Sequence, residues 1–137
     1  MVTVDASRFR RALASAWSLR APLHAVSALS ACRIVDGAGD GLPGLYVDRY
    51  GPALVFSVYD DAGLSEEDVT AASHAMLDVL QPEGVESVYV KRFVRDRSRL
   101  GGQAPAETRA STPRAGRPQP ETLVVREYGA QFEVRLY

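Results

Sequence analysis

Cysteine is almost missing from this chain: Cys32 stands alone among 137 residues. A single thiol excludes an internal disulfide and points to a reducing compartment. Histidine is nearly as scarce, and neither His24 nor His74 shares a ligand-type spacing with Cys32. With no H-E-x-x-H or C-x-x-C present, no metal site is expected. No apolar run approaches the roughly 20 residues of a spanning helix, and the N-terminus carries no signal-peptide core. A cytoplasmic location and no membrane partner are therefore expected. Asparagine is absent, and of 16 basic residues all but Lys91 are arginine. A GC-rich genome would produce that bias, so arginine content by itself argues for no function.

What is present suits one globular domain with a real core: hydrophobic residues make up 46% and charged residues 24%. A net charge of −1 predicts no polyanionic partner. Its distribution is less neutral. Asp60 to Glu86 holds eight acidic residues and no basic one, whereas Lys91 to Arg117 holds eight basic residues against Asp96 and Glu107. Such segregation can give one face a positive field.

Hydrophobic periodicity orders the chain. Phe9, Ala12, Leu13, Ala16 and Trp17 form one apolar stripe at helical spacing, and Pro22 should stop that helix by Ala21. Cys32 to Val35 reads as a short strand. Leu45–Tyr50 and Ala53–Tyr59 read as a hairpin around Gly51-Pro52, with Leu54, Phe56 and Val58 on one face. Ser65 to Leu80 reads as a helix with a capping box, Ser65 to Asp68, and a staple from Leu64 to Val69. Ser87 to Phe93 is a strand whose far end turns cationic. From Arg95 to Pro120 proline and glycine dominate, as in a flexible linker. Leu123–Tyr128 and Gln131–Leu136 form a second hairpin around Gly129-Ala130. The resulting class is α+β: a leading helix, then a largely antiparallel sheet of about five to six strands with one packed helix.

Three features could carry chemistry. Gly39, Gly41 and Gly44 satisfy G-x-G-x-x-G, but Leu45-Tyr46-Val47 after them is strand-like. A dinucleotide fingerprint must open a helix whose N–H groups hold the pyrophosphate, so the match is a false one. Gly39, Asp40, Gly41, Pro43, Gly44, Asp48 and Arg49 are expected to build or brace a turn instead. Cys32 opens a strand and reads as a small core residue, with no base to activate it. The run Lys91-Arg92-Phe93-Val94-Arg95-Asp96-Arg97-Ser98-Arg99 is the strongest signal: five cations in nine residues around an aromatic. Lys91, Arg92, Arg95, Arg97 and Arg99 could grip phosphates while Phe93 stacks on a base. A solvated strand end explains the same run equally well.

Three stretches in order complete the reading: Cys32–Gly51 (CRIVDGAGDGLPGLYVDRYG), Val88–Arg99 (VYVKRFVRDRSR) and Leu123–Leu136 (LVVREYGAQFEVRL). Together they resemble the N-terminal half of bacterial class I S-adenosylmethionine (SAM)-dependent methyltransferases related to the 23S rRNA cytosine-C5 enzymes. The D-G-L-P-G-L-x-V-D-R-Y segment is the most specific. Ala38 and Asp36 depart from the family's usual glutamate and asparagine.

The resemblance implies a leading helix and connection over 1–30 and a central α+β domain over 31–137. It also implies a Rossmann-like methyltransferase domain, missing here, that would hold SAM and the catalytic residues. No catalytic, cofactor-binding or metal-binding residue is assigned within this chain, which alone is expected to be inactive. The implied role is recognition and positioning of RNA, from 23S rRNA, in a truncated or fragmentary methyltransferase. The alternative is a structural domain that docks the catalytic domain or a second subunit without touching RNA. A free-standing nucleic-acid-binding module is a third reading.

Overall fold

Alternating β-branched and aromatic residues draw the middle of the chain into one sheet, and a computed structural model describes residues 6–24, 30–95 and 110–137. The elements are α1 (Ala6–His24), β1 (Ala31–Asp36), β2 (Leu45–Tyr50), β3 (Ala53–Tyr59), α2 (Glu66–Leu80), β4 (Ser87–Phe93), β5 (Ala115–Gly116), β6 (Thr122–Glu127) and β7 (Ala130–Arg135). Strands β1 to β5 lie in sequence order in a five-stranded sheet, and β6–β7 is a separate hairpin. All neighbours are antiparallel except β3 and β4, which run parallel across the α2 crossover. The α+β class, the leading helix and the single packed helix are as the sequence implied.

Each face of the sheet has its own cover. Leu45, Val47, Leu54, Phe56, Val58, Val88 and Val90 face the helices and meet Phe9, Leu13 and Ala16 of α1 and Val69, Met76 and Leu80 of α2. Phe56 is fully buried there, and burying such a side chain contributes about 2–3 kcal/mol. On the other face the hairpin seals one end, where Leu136 packs with Ala53, Val55 and Tyr89. Strand β3 is thus apolar on both sides, which explains its nearly unbroken hydrophobic run. A register shift between Arg33 and Val35 inserts one extra residue in β1. That bulge lets Ile34 and Val35 both be buried while Arg33 stays on the hairpin side opposite Asp48.

Two expectations are corrected. Helix α1 runs through Pro22 to His24; within the last turn a missing N–H costs a single bond, so the proline does not end the helix. The described part of the Pro/Gly-rich stretch, 110–120, is not loose. Ala115–Gly116 pairs with β4, and the Gln119 amide donates to the Tyr89 hydroxyl at 2.7 Å. The rest of that stretch lies outside the described residues. At α2, Ser65 and Asp68 form the reciprocal capping box. The β6–β7 turn takes positive φ at Tyr128 and Gly129, the geometry of a two-residue hairpin turn.

The Gly-rich stretch is a clamp between α1, β1 and β3. Gly37–Asp40 forms a 3-10 turn followed by Gly41 in the left-handed region. The Asp40 carboxylate, with its side chain 7% exposed, lies 2.9 Å from an Arg20 guanidinium nitrogen. It also accepts the Asp36 amide at 2.6 Å. Arg20 in turn donates to the Ile34 carbonyl at 2.6 Å. Burial pushes the Asp40 carboxyl up, but the Arg20 hydrogen bond, the Asp36 amide and the Arg20 charge together hold it below its ordinary value. Gly44 adopts φ +81°, and a Cβ there would sit 2.8 Å from Ala62 backbone atoms. Arg49 donates to the Gly51 and Glu83 carbonyls at 2.9 and 2.6 Å.

Two stability predictions follow from this clamp. Gly44→Ala should lower stability by about 2–4 kcal/mol, from left-handed strain and the clash with Ala62. Gly39→Ala, whose Cβ meets nothing within 4 Å, should stay within about 0.5 kcal/mol. Urea denaturation of both variants checks this, and equal midpoints would contradict it. Asp40→Asn should cost about 2–3 kcal/mol near neutral pH by leaving Arg20 without its charge partner. Because the folded pKa is depressed, the wild-type advantage is full above the unfolded carboxylate value of about 3.9. It should shrink as pH falls below that value, which a pH series of melts reads directly.

Candidate functional site

Strand alternation divides the basic run between two environments. Tyr89 points to the hairpin side, so Lys91 and Phe93 follow it there, while Arg92 follows Val88 and Val90 toward the helices. Arg92 lies 2.5 Å from Glu66 at the start of α2, and Arg114 reaches the same carboxylate at 2.9 Å. Burial raises the Glu66 pKa, but the charges of Arg92 and Arg114 outweigh it and hold it low. Arg92 therefore fastens β4 to α2 and is separated from Lys91 and Arg95. The latter two stay with Phe93. Lys91 Nζ donates to the Arg135 carbonyl at 3.3 Å, and Arg95 Nε lies 2.6 Å from Asp61. Arg97 and Arg99 lie outside the described residues.

Beyond the hairpin cluster, the same sheet face carries a row of rings. Strands β2, β3 and β4 contribute Tyr46, Tyr59 and Phe93, brought together by a register that pairs Tyr46 with Ser57 and Tyr59 with Phe93. Tyr46 meets Tyr59 edge-on at 5.8 Å between centroids, and Tyr59 stacks on Phe93 at 5.3 Å with 29° between planes. A guanidinium covers each tyrosine. Arg33 sits 5.0 Å from the Tyr46 centroid and Arg95 4.4 Å from that of Tyr59. Gly37 sets the near end of the row, since a Cβ there would lie 2.9 Å from the Tyr46 hydroxyl. All three rings are partly exposed.

The charges on this face are balanced rather than basic. Arg33 bonds Asp48 at 2.9 Å and Asp36 at 3.0 Å, and the hydrogen bond to Asp48 is the main cause of its raised pKa. Hydrogen bonds to Tyr46 first, then Asp61, raise that of Arg95. The Arg95 amide also donates to Asp60 at 3.2 Å. Among the described residues, folding thus brings part of the acidic segment onto the basic one.

Other candidates find no chemistry. The Gly39–Gly44 turn leads into β2, so it lacks the helix N-terminus on which a dinucleotide or SAM would rest. These residues do not fit that cofactor. Cys32 is partly buried, and burial is the main influence raising its pKa, which leaves it a thiol rather than a thiolate. Among the described residues no group of three or more His, Cys, Asp or Glu could hold a metal ion. Among them too, no helix is long and apolar enough to cross a membrane. The aromatic row went unseen in the sequence because its rings are far apart along the chain; the one local signal was Phe93 within the basic run.

Comparison with known proteins sets this site in context. No protein-family model matches the chain. Ribosomal RNA large subunit methyltransferase I of Cronobacter sakazakii is 30% identical over 132 residues, covering 96% of this chain and 31% of that protein. The Escherichia coli K12 protein of the same name matches with the same identity and coverage. Ribosomal RNA large subunit methyltransferase of Deinococcus radiodurans is 42% identical over 57 residues, 42% of this chain and 14% of its own length. Among solved structures, a Streptococcus mutans protein assigned to the SAM-dependent methyltransferases superposes with a TM-score of 0.63 at 17% identity. It is covered over 31% of its length by 98% of this chain. A crystal structure described as a methyltransferase complexed with SAH gives the same TM-score at 18% identity, with the same two coverages. Such low identity carries the fold alone. The chain spans about a third of the length of the curated relatives it matches. By sequence over nearly its whole length, this chain is similar to one region, about a third in extent, of the bacterial large-subunit ribosomal RNA methyltransferases.

Proposed function

We propose that this chain is the part of a SAM-dependent 23S rRNA methyltransferase that recognises substrate RNA and holds it against a separate catalytic domain. The observation that carries the reading is the partly exposed sheet face where Arg33, Lys91 and Arg95 surround Tyr46, Tyr59 and Phe93. Planar guanidinium groups suit phosphate, and rings suit bases. Arg97 and Arg99 come two and four residues after Arg95 in sequence and would extend the phosphate contacts. Arg92 is left out of the interface because its charge is engaged by Glu66. In this reading SAM and the methyl transfer belong to the catalytic domain, and this region contributes affinity and orientation.

A second reading, that the region docks the catalytic domain or another subunit, is favoured by one feature. Val124, Tyr128 and Phe132 of the β6–β7 hairpin are 66%, 70% and 50% exposed. Exposed apolar side chains gathered on one hairpin suit a protein partner.

The two readings separate by titration with a 23S rRNA fragment over a salt series. Because Arg33 and Arg95 already hold carboxylates, about two or three phosphates should be engaged, giving a slope of log K on log salt near −2. The double substitution Arg33→Ala and Arg95→Ala should flatten that slope by about 1 and weaken binding roughly tenfold. Affinity that ignores salt, or survives the double substitution, would remove the RNA reading and leave docking.

A further inference from the structure

We infer that Tyr46, Tyr59 and Phe93 form a stacking platform for unpaired RNA bases, with Arg95 as a latch that leaves Tyr59 when RNA arrives. The inference rests on the RNA-positioning reading and narrows it from RNA in general to single-stranded RNA. Three features of the face carry it.

The first is its shape. The rings come from alternate positions of three neighbouring strands, so they line an open sheet surface and not a cleft. A duplex hides the faces of its bases, whereas an unpaired base can lie flat on a ring. The Tyr59–Phe93 pair is stacked, with 29° between planes, so Phe93 backs the Tyr59 ring on which a base would lie. Tyr46, edge-on to Tyr59, gives that surface a wall.

The second is the present occupant of the Tyr59 ring. The Arg95 guanidinium lies 4.4 Å from its centroid, about where a stacked base would sit. It is held there by Tyr46 and by Asp61, the latter in an ion pair whose two side chains are 48% and 49% exposed. Such an exposed pair is weak and readily exchanged. An incoming nucleotide offers both replacements at once: its base for the guanidinium on the ring, and its phosphate for the Asp61 carboxylate. The exchange forms a phosphate ion pair in place of the one with Asp61 and releases that half-exposed carboxylate to water.

The third is the charge pattern. Among the described residues, Asp36 and Asp48 share Arg33 and Asp61 pairs with Arg95, which weakens the uncompensated field that duplex RNA would be drawn to. Recognition must then draw on the rings as well as on phosphate.

The test uses the whole chain and four probes of equal length: a single-stranded RNA, its duplex, an abasic ribose-phosphate oligomer and the corresponding DNA strand. Single-stranded RNA and DNA should bind at least tenfold more tightly than duplex or abasic oligomer, since stacking needs a base face but no particular sugar. Tyr59→Leu and Phe93→Leu should each weaken single-strand binding about tenfold, and Tyr59→Phe should restore it. Asp61→Asn should strengthen binding a few-fold by releasing the latch, while Asp78→Asn on the exposed side of α2 should change nothing. Ring resonances of Tyr59 and Phe93 should move upfield on addition of single-stranded RNA, which keeps the test open if a leucine variant fails to fold. Equal affinity for duplex or abasic oligomer, ring resonances that stay still, or an Asp61→Asn effect no larger than that of Asp78→Asn would overturn the platform while leaving RNA positioning intact. No binding to any RNA at low salt would overturn both.

Discussion

The carboxylate of Asp40 is the contact on which the other arrangements depend. It binds the last turns of α1 through Arg20, and it fixes the 3-10 turn through the Asp36 amide. Arg20 also reaches the Ile34 carbonyl, inside the bulge that turns Arg33 to the opposite face. One buried charge pair thus joins a helix, a bulge and a Gly-rich turn. The turn in turn places Gly37 against Tyr46 and Gly44 against Ala62, so the loops at the aromatic end of the sheet share one support. A stretch that looks like a phosphate cradle in the sequence works instead as a bracket. A mostly buried pair of this kind adds less to stability than the loss on breaking it would suggest, and its use lies in fixing a geometry.

Charge pairing decides how the face can be read. Along the chain, acid and base are segregated; in the fold, Glu66 meets Arg92 and Arg114, and Asp61 meets Arg95. Packing α2 onto the sheet brings the acidic segment to the basic one. The long-range field expected from the sequence is reduced, and short-range chemistry takes its place. Cations over rings can exchange a carboxylate for a phosphate at little net cost, whereas a bare basic patch would bind any polyanion. That suits the proposed role of holding a nucleotide in place more than one of capturing RNA from a distance.

Most of the fold was legible because its signals are local. The Ser65–Asp68 capping box, the alternation of Leu54, Phe56 and Val58, and the Gly129 turn each specify an element from within a few residues. What escaped depends on neighbours remote in sequence. Strand β5 is two residues long and exists because β4 offers an edge. Pro22 is tolerated in α1 because it falls in the final turn. The basic run is visible in the sequence, but its division follows from which face of β4 the helices cover: alternation sends Arg92 to the helices and Lys91 to the open face. The aromatic row needs the registers of three strands, which no window of sequence contains.

The proposed RNA-positioning role requires RNA to touch the aromatic face of the sheet. Ultraviolet cross-linking of single-stranded RNA to the protein, with the modified residues located by mass spectrometry, addresses that directly. Cross-links concentrated at Tyr46, Tyr59 and Phe93 are the predicted result. Cross-links confined to Trp17 and the outer surface of α1, or to Tyr128 and Phe132 of the hairpin, would contradict it.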